Sequence, residues 1–243
     1  MNDYYLKFIT NKNIGSEEFA TLLLNEWYYE FDEKLRPERF GYGEPIRYPI
    51  AEYGLNAVIA KWPVQLKRIS HPKYDIDVNW RPQKGLDERE FPWACTIWLK
   101  KRAEDALTIK LFEFIVRYFE PAFGLVTTEA HNEEKNRIKC KSKILGCLTK
   151  EYYIGMDITD TLPGIYWLTY FNNKIIDRIG CDKFNSLMPF KRWNYHDGII
   201  IQAYDKCFDV NAVAEEEIVK HLGEKMFFDK TKYIAEHNLE IVE

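Results

Sequence analysis

The sequence predicts an α+β fold, with a mixed or mainly antiparallel sheet, helices packed on one face and two similar halves. Three observations predict it. Short β-branched and aromatic runs, such as Trp93-Ala94-Cys95-Thr96-Ile97-Trp98-Leu99 and Gly198-Ile199-Ile200-Ile201-Gln202-Ala203-Tyr204, recur between helical patterns. The strongest helical pattern, Ala103 to Phe119, is apolar almost all round, as expected of a helix laid against a sheet or a second layer. A Pro-led strand containing tryptophan, then a helix, then a strand, occurs twice, with Phe91-Pro92-Trp93 and Leu162-Pro163-Gly164 in similar places.

Taken in order, Tyr4 to Thr10 alternates and reads as an edge strand. Ser16 is placed to cap a helix whose first turn holds Glu17 and Glu18, carboxylates favoured at the positive end of a helix dipole. Phe19, Leu22, Leu23 and Trp27 recur at helical spacing and are expected to face the core. Pro37 to Pro49 reads as a long loop with Phe40, Tyr42, Arg47 and Tyr48 at its surface, and loops of that length are often functional. Leu55 to Ala60 begins a short helix or strand, and Asp75 to Trp80 pairs with the central Trp93–Leu99 run as a hairpin with a long connection. In the Ala103–Phe119 helix, Lys110, Glu113 and Arg117 form a narrow polar stripe where Glu113 can pair with both cations. Leu125 to Thr128 follows as a strand.

The second part is organised around Pro163 to Asp205. It reads as a strand from Pro163 to Phe171, then a short apolar helix (Ile175, Ile176, Ile179) closed by Gly180. A polar, aromatic loop leads from there to the Gly198 strand. A last helix, capped by Asp209 or Asn211, is expected to bury Val213, Ile218, Val219 and Leu222 and to end at Gly223, before a polar, acidic tail.

A length of 243 residues suits a single α+β domain with a substantial core. Its possible halves, 1–132 and 151–230, are joined by the lysine-rich connection Glu133 to Lys150. A net charge of −4 and a pI near 5.9 give no electrostatic reason to expect nucleic acid as a partner. No apolar run approaches a membrane span. Five cysteines, an odd number, and a start without a signal-peptide pattern point to free thiols in the cytoplasm.

Chemistry-bearing residues are sparse. None of the five histidines has metal-site spacing, no phosphate-cradling glycine loop or nucleophile elbow occurs, and no cofactor or metal is expected. Two pairs offer an enzyme alternative: Glu129 with His131 directly after a strand, and His196 with Asp197. Aromatic residues make up 16% of the chain, enough to supply contact surface as well as core. Tyr, Trp and Arg are the residue types most often found as binding anchors. The candidates for that role are Tyr42, Arg47 and Tyr48 in the first loop and Arg192, Trp193 and Tyr195 in the second.

Leu162-Pro163-Gly164-Ile165-Tyr166-Trp167-Leu168-Thr169-Tyr170-Phe171, followed by Ile175 to Gly180 and by Asp197-Gly198-Ile199-Ile200-Ile201-Gln202, resembles the immunity protein 52 family of bacterial polymorphic-toxin systems. The shared pattern is a Gly-x-Tyr-Trp-x-x-Tyr-Phe core, a short helix and an Asp-Gly-led strand; Pro121-Ala122-Phe123-Gly124 resembles an earlier Pro-x-x-Gly segment. The likeness covers roughly residues 90 to 205. Asn172 stands where the pattern has a glycine, and asparagine tolerates left-handed geometry. The resemblance implies a protein without catalysis that neutralises a cognate secreted toxin by steric occlusion; it carries over no contact residues, and the six anchors above are candidates by residue type. The alternatives are the small enzyme and a structural or assembly protein of a phage or secretion apparatus.

Overall fold

A computed structural model describes residues 3–41, 48–62, 67–70, 77–82, 93–100, 104–141 and 149–242, with 67–70 and 77–82 described as backbone. In chain order the elements are β1 (Tyr4–Thr10), α1 (Glu17–Asn25), β2 (Arg39–Gly41), β3 (Tyr48–Pro49), α2 (Ile50–Tyr53), α3 (Leu55–Lys61), β4 (Lys67–Ser70), β5 (Asp77–Pro82), β6 (Trp93–Leu99) and α4 (Asp105–Phe119). They continue with β7 (Phe123–Thr128), α5 (Glu129–Asn136), β8 (Arg137–Lys141), β9 (Thr149–Tyr153), β10 (Leu168–Asn172), α6 (Asn173–Ile179), α7 (Cys181–Ser186), β11 (Lys191–Tyr195), β12 (Gly198–Gln202), α8 (Ala212–Leu222) and α9 (Lys230–Glu236).

Ten strands form one sheet in the order β11-β12-β10-β7-β1-β6-β5-β4-β2-β3, and every pairing in it is antiparallel. The α+β class and the mainly antiparallel sheet are therefore as expected. β1 is not an edge strand: it lies between β6 and β7, with Leu6 opposite both Ile97 and Val126. It is buried on both faces, as a strand inside a sheet is, so the alternation read in its sequence does not mark one face as solvent-exposed. β7 and β10, one from each expected half, are hydrogen-bonded neighbours with Val126 opposite Leu168, so one sheet runs through both. The stretch from Glu133, expected as a connection, holds the end of α5 and the β8 strand; 142–148 lies outside the described residues.

Successive strand residues point to opposite faces. Along β1, Tyr4, Leu6, Phe8 and Thr10 point at α4: the Tyr4 hydroxyl donates to Asp105 at 2.6 Å, and the Phe8 and Phe112 rings lie 5.3 Å apart. Carrying the register through β7 and β10 puts Phe171 on the other face, against Phe184 of α7 at 5.4 Å. Helices therefore cover both faces, where the sequence led us to expect one. The apolar girdle of α4 explains itself here, since one side meets the sheet and Phe119 meets Phe19 of α1 at 4.9 Å.

Local chemistry sets most boundaries. Ser16 accepts from the Phe19 amide, as expected of the cap. On α1, Leu22 is 59% exposed, and Leu24 takes the buried place expected for it. α8 is capped by Asn211 and ends at Gly223 with φ +115°, but Val213 is 66% exposed and Glu215 is buried instead. Phe40, expected at the surface, is buried because Arg39–Gly41 pairs with β4 and β3. The strand expected from Pro163 begins only at Leu168, and the preceding Ile165, Tyr166 and Trp167 are buried outside any strand. Asn172 has extended geometry (φ −76°) and caps α6 by accepting from the Ile175 amide, so its left-handed tolerance is not used.

Candidate functional site

The stretch expected as a polar loop before Gly198 is largely strand. Lys191 to Tyr195 forms β11, the last strand at one end of the sheet, paired on its inner side with β12 (Trp193 opposite Ile200, Tyr195 opposite Gly198). A two-residue turn, His196-Asp197, joins them, with His196 at φ +52°, the geometry such hairpins demand. The turn is anchored: the Tyr170 hydroxyl donates to the Asp197 carboxylate, and the Asn173 amide donates to the Asp197 carbonyl at 2.9 Å. Gly198 is required where it stands, because a Cβ there would meet the Phe171 carbonyl oxygen at 2.2 Å. Gly124 is similarly confined, since a Cβ would lie 3.1 Å from the Phe8 ring. Two of the glycines in the resembling segments, Gly124 and Gly198, thus have packing reasons, whereas Gly164 is held by its backbone conformation at φ +141°.

The alternation of β11 divides the three candidates on it. Trp193 and Tyr195 point to the α4 face, where the Trp193 indole donates to the Glu113 carboxylate at 2.9 Å. The polar stripe of α4 therefore serves the strand, while Lys110 lies 3.9 Å from Asp32. Burial and the nearby Glu113 charge push the Tyr195 hydroxyl above its ordinary value, keeping it a neutral donor. Arg192 points to the other face, and its guanidinium donates to the Phe184 carbonyl at the end of α7. Leading into the strand, Met188 is 92% and Phe190 48% exposed, and the Lys191 ammonium sits 5.3 Å over the Phe190 ring. Behind them opens a hollow of about 260 Å³ lined by Leu187, Met188, Pro189, Phe190, Ala214 and Ile218.

The other candidates lie elsewhere. Tyr48 is on β3, the strand at the far end of the same sheet, with the Phe40 and Tyr53 rings each 5.4 Å away. Nine strand spacings of about 4.8 Å put roughly 43 Å of sheet between it and β11. Tyr42 and Arg47 lie outside the described residues.

Glu129 and His131 are not brought together. They are two apart on α5, which points their side chains in different directions. His131 instead turns inward to Glu215 of α8, its Nε2 at 3.0 and 3.2 Å from the two carboxylate oxygens. The Lys135 ammonium donates to the same carboxylate and, at 2.7 Å, to the Ile165 carbonyl. Burial pushes the Glu215 carboxyl up, but the His131 ring and the Lys135 charge outweigh it and hold it below the ordinary carboxylate range. Asn136 completes the cluster by donating to the Tyr166 hydroxyl at 2.8 Å. Sequence reasoning missed Glu215, which sits in the acidic run Glu215-Glu216-Glu217 and gives no sign of being the buried member.

His196 and Asp197 line an open hollow of about 400 Å³ with Cys181. A hydrogen bond to Asp177 pushes the Cys181 thiol up, which disfavours the thiolate a nucleophile needs. No cluster of three metal-ligating side chains occurs among the described residues, and no helix among them is long and apolar enough to cross a membrane.

No protein-family profile and no curated protein matches the sequence. The fold is similar to a solved structure, the Pseudomonas aeruginosa T6SS protein PA0821, over 94% of this chain and 77% of that one, with a TM-score of 0.60 and 12% identity. At that identity the likeness is one of fold.

Proposed function

We propose that this chain is a cytoplasmic immunity protein that binds a cognate secreted toxin and blocks it as a rigid obstacle, with no bond-making of its own. The observation that carries the reading is the sheet end at β11. Exposed Met188 and Phe190 lead into a terminal strand whose Arg192 and Trp193 are each held by a hydrogen bond to a neighbouring helix. Side chains held in this way lose little freedom on binding, which favours affinity. The resemblance to the immunity protein 52 family supports the class, and the likeness in fold to a T6SS protein supports a secretion-associated setting.

A standard interface covers about 800 Å² on each partner, a patch about 32 Å across. That supports the candidates that share one end of the sheet. Arg192, Trp193 and Tyr195 fit one such patch with Met188 and Phe190, whereas Tyr48 at the other end of the sheet lies beyond it. Two further placements support occlusion over chemistry: His131 is buried against Glu215, and Asp177 pushes up the Cys181 thiol that lines the same hollow as His196.

The test is co-expression with the product of the neighbouring toxin gene. Growth rescue together with a complex on gel filtration is the expected result, and absence of both overturns the reading.

A further inference from the structure

Away from β11, a groove of about 960 Å³ runs between the segment that follows β9 and the segment from Glu224 to Glu236. None of its lining residues belongs to the face proposed above. Its walls are tied by backbone: the Leu162 amide donates to the Met226 carbonyl and the Phe228 amide to the Leu162 carbonyl, both at 2.8 Å. The start of α9 is fastened too, since the Lys230 ammonium donates to the Glu134 and Arg137 carbonyls at 2.6 and 2.8 Å. The Phe228 ring lies directly on Gly155, where an added Cβ would meet it at 2.3 Å and where φ is +72°. The groove is therefore built into the fold.

Its lining is aromatic and acidic. Tyr153 is 57% exposed, and the Phe228 and Tyr233 rings lie 5.5 Å apart. Five carboxylates line the groove against two lysines, a net −3 in a chain whose total is −4. Three of the five have local work: Asp157 accepts from Thr159, Asp229 caps α9, and Glu236 lies 3.8 Å from Lys232. Asp160 and Glu224 are exposed and stand in no ion pair among the described residues. Carboxylates alone are served by water and counter-ions. His237 stacks on one face of Tyr233 at 4.0 Å and Gly155 covers one face of Phe228, leaving Tyr153 and the remaining ring faces to add stacking for a flat cation, which is how guanidinium groups are recognised.

We infer that this groove is a docking site for an extended, arginine-bearing segment of a partner protein. Complementarity of charge selects the sign of the occupant, and the rings select arginine over lysine. The volume suits several side chains in a row, where a single ion would leave most of it to water.

The test needs no toxin, so its outcome is independent of the neutralisation reading. Fluorescence anisotropy of a labelled oligo-arginine peptide is measured at about 0.15 M salt, where charges beyond about 8 Å are screened. Oligo-lysine and spermidine serve as competitors. Saturable binding is expected, weakened about tenfold or more by Asp160→Asn with Glu224→Gln and again by Tyr233→Ala. It should be unchanged by Glu17→Gln with Glu18→Gln, two exposed carboxylates on α1. Equal weakening by the α1 pair, no saturable binding, or displacement by spermidine as effective as by the peptide itself would each overturn the inference.

Discussion

Replacing Gly198 by alanine probes the hairpin that presents β11. The added Cβ would lie 2.2 Å from the Phe171 carbonyl oxygen and 2.8 Å from the Tyr170 ring. Ordinary carbon–oxygen contact begins near 3.3 Å, so the strands must part by about 1 Å. Asn172 and Gly198 face each other in the β10–β12 ladder, and parting them forfeits one or two hydrogen bonds at about 1 kcal/mol each. Displacing Tyr170 adds about 1–3 kcal/mol of overpacking. The expected loss is about 2–5 kcal/mol, within the roughly 5–15 kcal/mol that a folded domain holds. Gly54→Ala is the control: φ +79° with ψ +151° lies in a region almost confined to glycine, but no atom lies within 4 Å, so only backbone strain of about 1–3 kcal/mol applies. Urea unfolding followed by tryptophan fluorescence reads both. If Gly198→Ala loses no more than Gly54→Ala, Gly198 is not pressed against Phe171 and the β10–β12 register is wrong.

Other outcomes follow from the same geometry. Trp193→Phe keeps most of the ring and removes the donor to Glu113, and should cost about 1–1.5 kcal/mol by urea unfolding. Glu215→Gln leaves His131 and Lys135 facing an uncharged amide, at a cost of about 3 kcal/mol at neutral pH. Because the Glu215 carboxyl is held low, its stabilisation is full above the unfolded value of about 4.3 and disappears as pH falls through the lower folded value. Unfolding midpoints of wild type and Glu215→Gln should therefore converge in acid, and a constant gap would refute this. On α1, Leu23→Ala should cost about 2–5 kcal/mol and Leu22→Ala under about 0.5, a contrast measurable by thermal unfolding.

The sequence was legible where one local signal decides the outcome. Ser16, Gly180 and Gly223 mark helix ends by chemistry that needs no tertiary partner, and of Asp209 and Asn211 it is Asn211 that caps α8. The apolar girdle of α4 likewise announced a buried helix. What stayed hidden depends on pairing at a distance. β11 reads as loop because Lys, Arg and Asn dilute its pattern, and only β12 beside it makes it a strand. β1 gives no sign of its two neighbours, which come from residues 93–99 and 123–128. The candidate anchors were legible by residue type, but whether they share a surface is set by strand order, and that order puts Tyr48 and Trp193 at opposite ends.

If this chain neutralises a toxin as proposed, inhibition is stoichiometric obstruction. The direct measurement is residual activity of the purified cognate toxin titrated with this protein, using wild type and a Met188→Asp, Phe190→Asp variant. A linear fall to zero at one equivalent is expected for wild type, and a loss of affinity of about a hundredfold for the variant with its unfolding midpoint unchanged. Complete inactivation by a small fraction of an equivalent, progressing with time, would mean turnover and would contradict it.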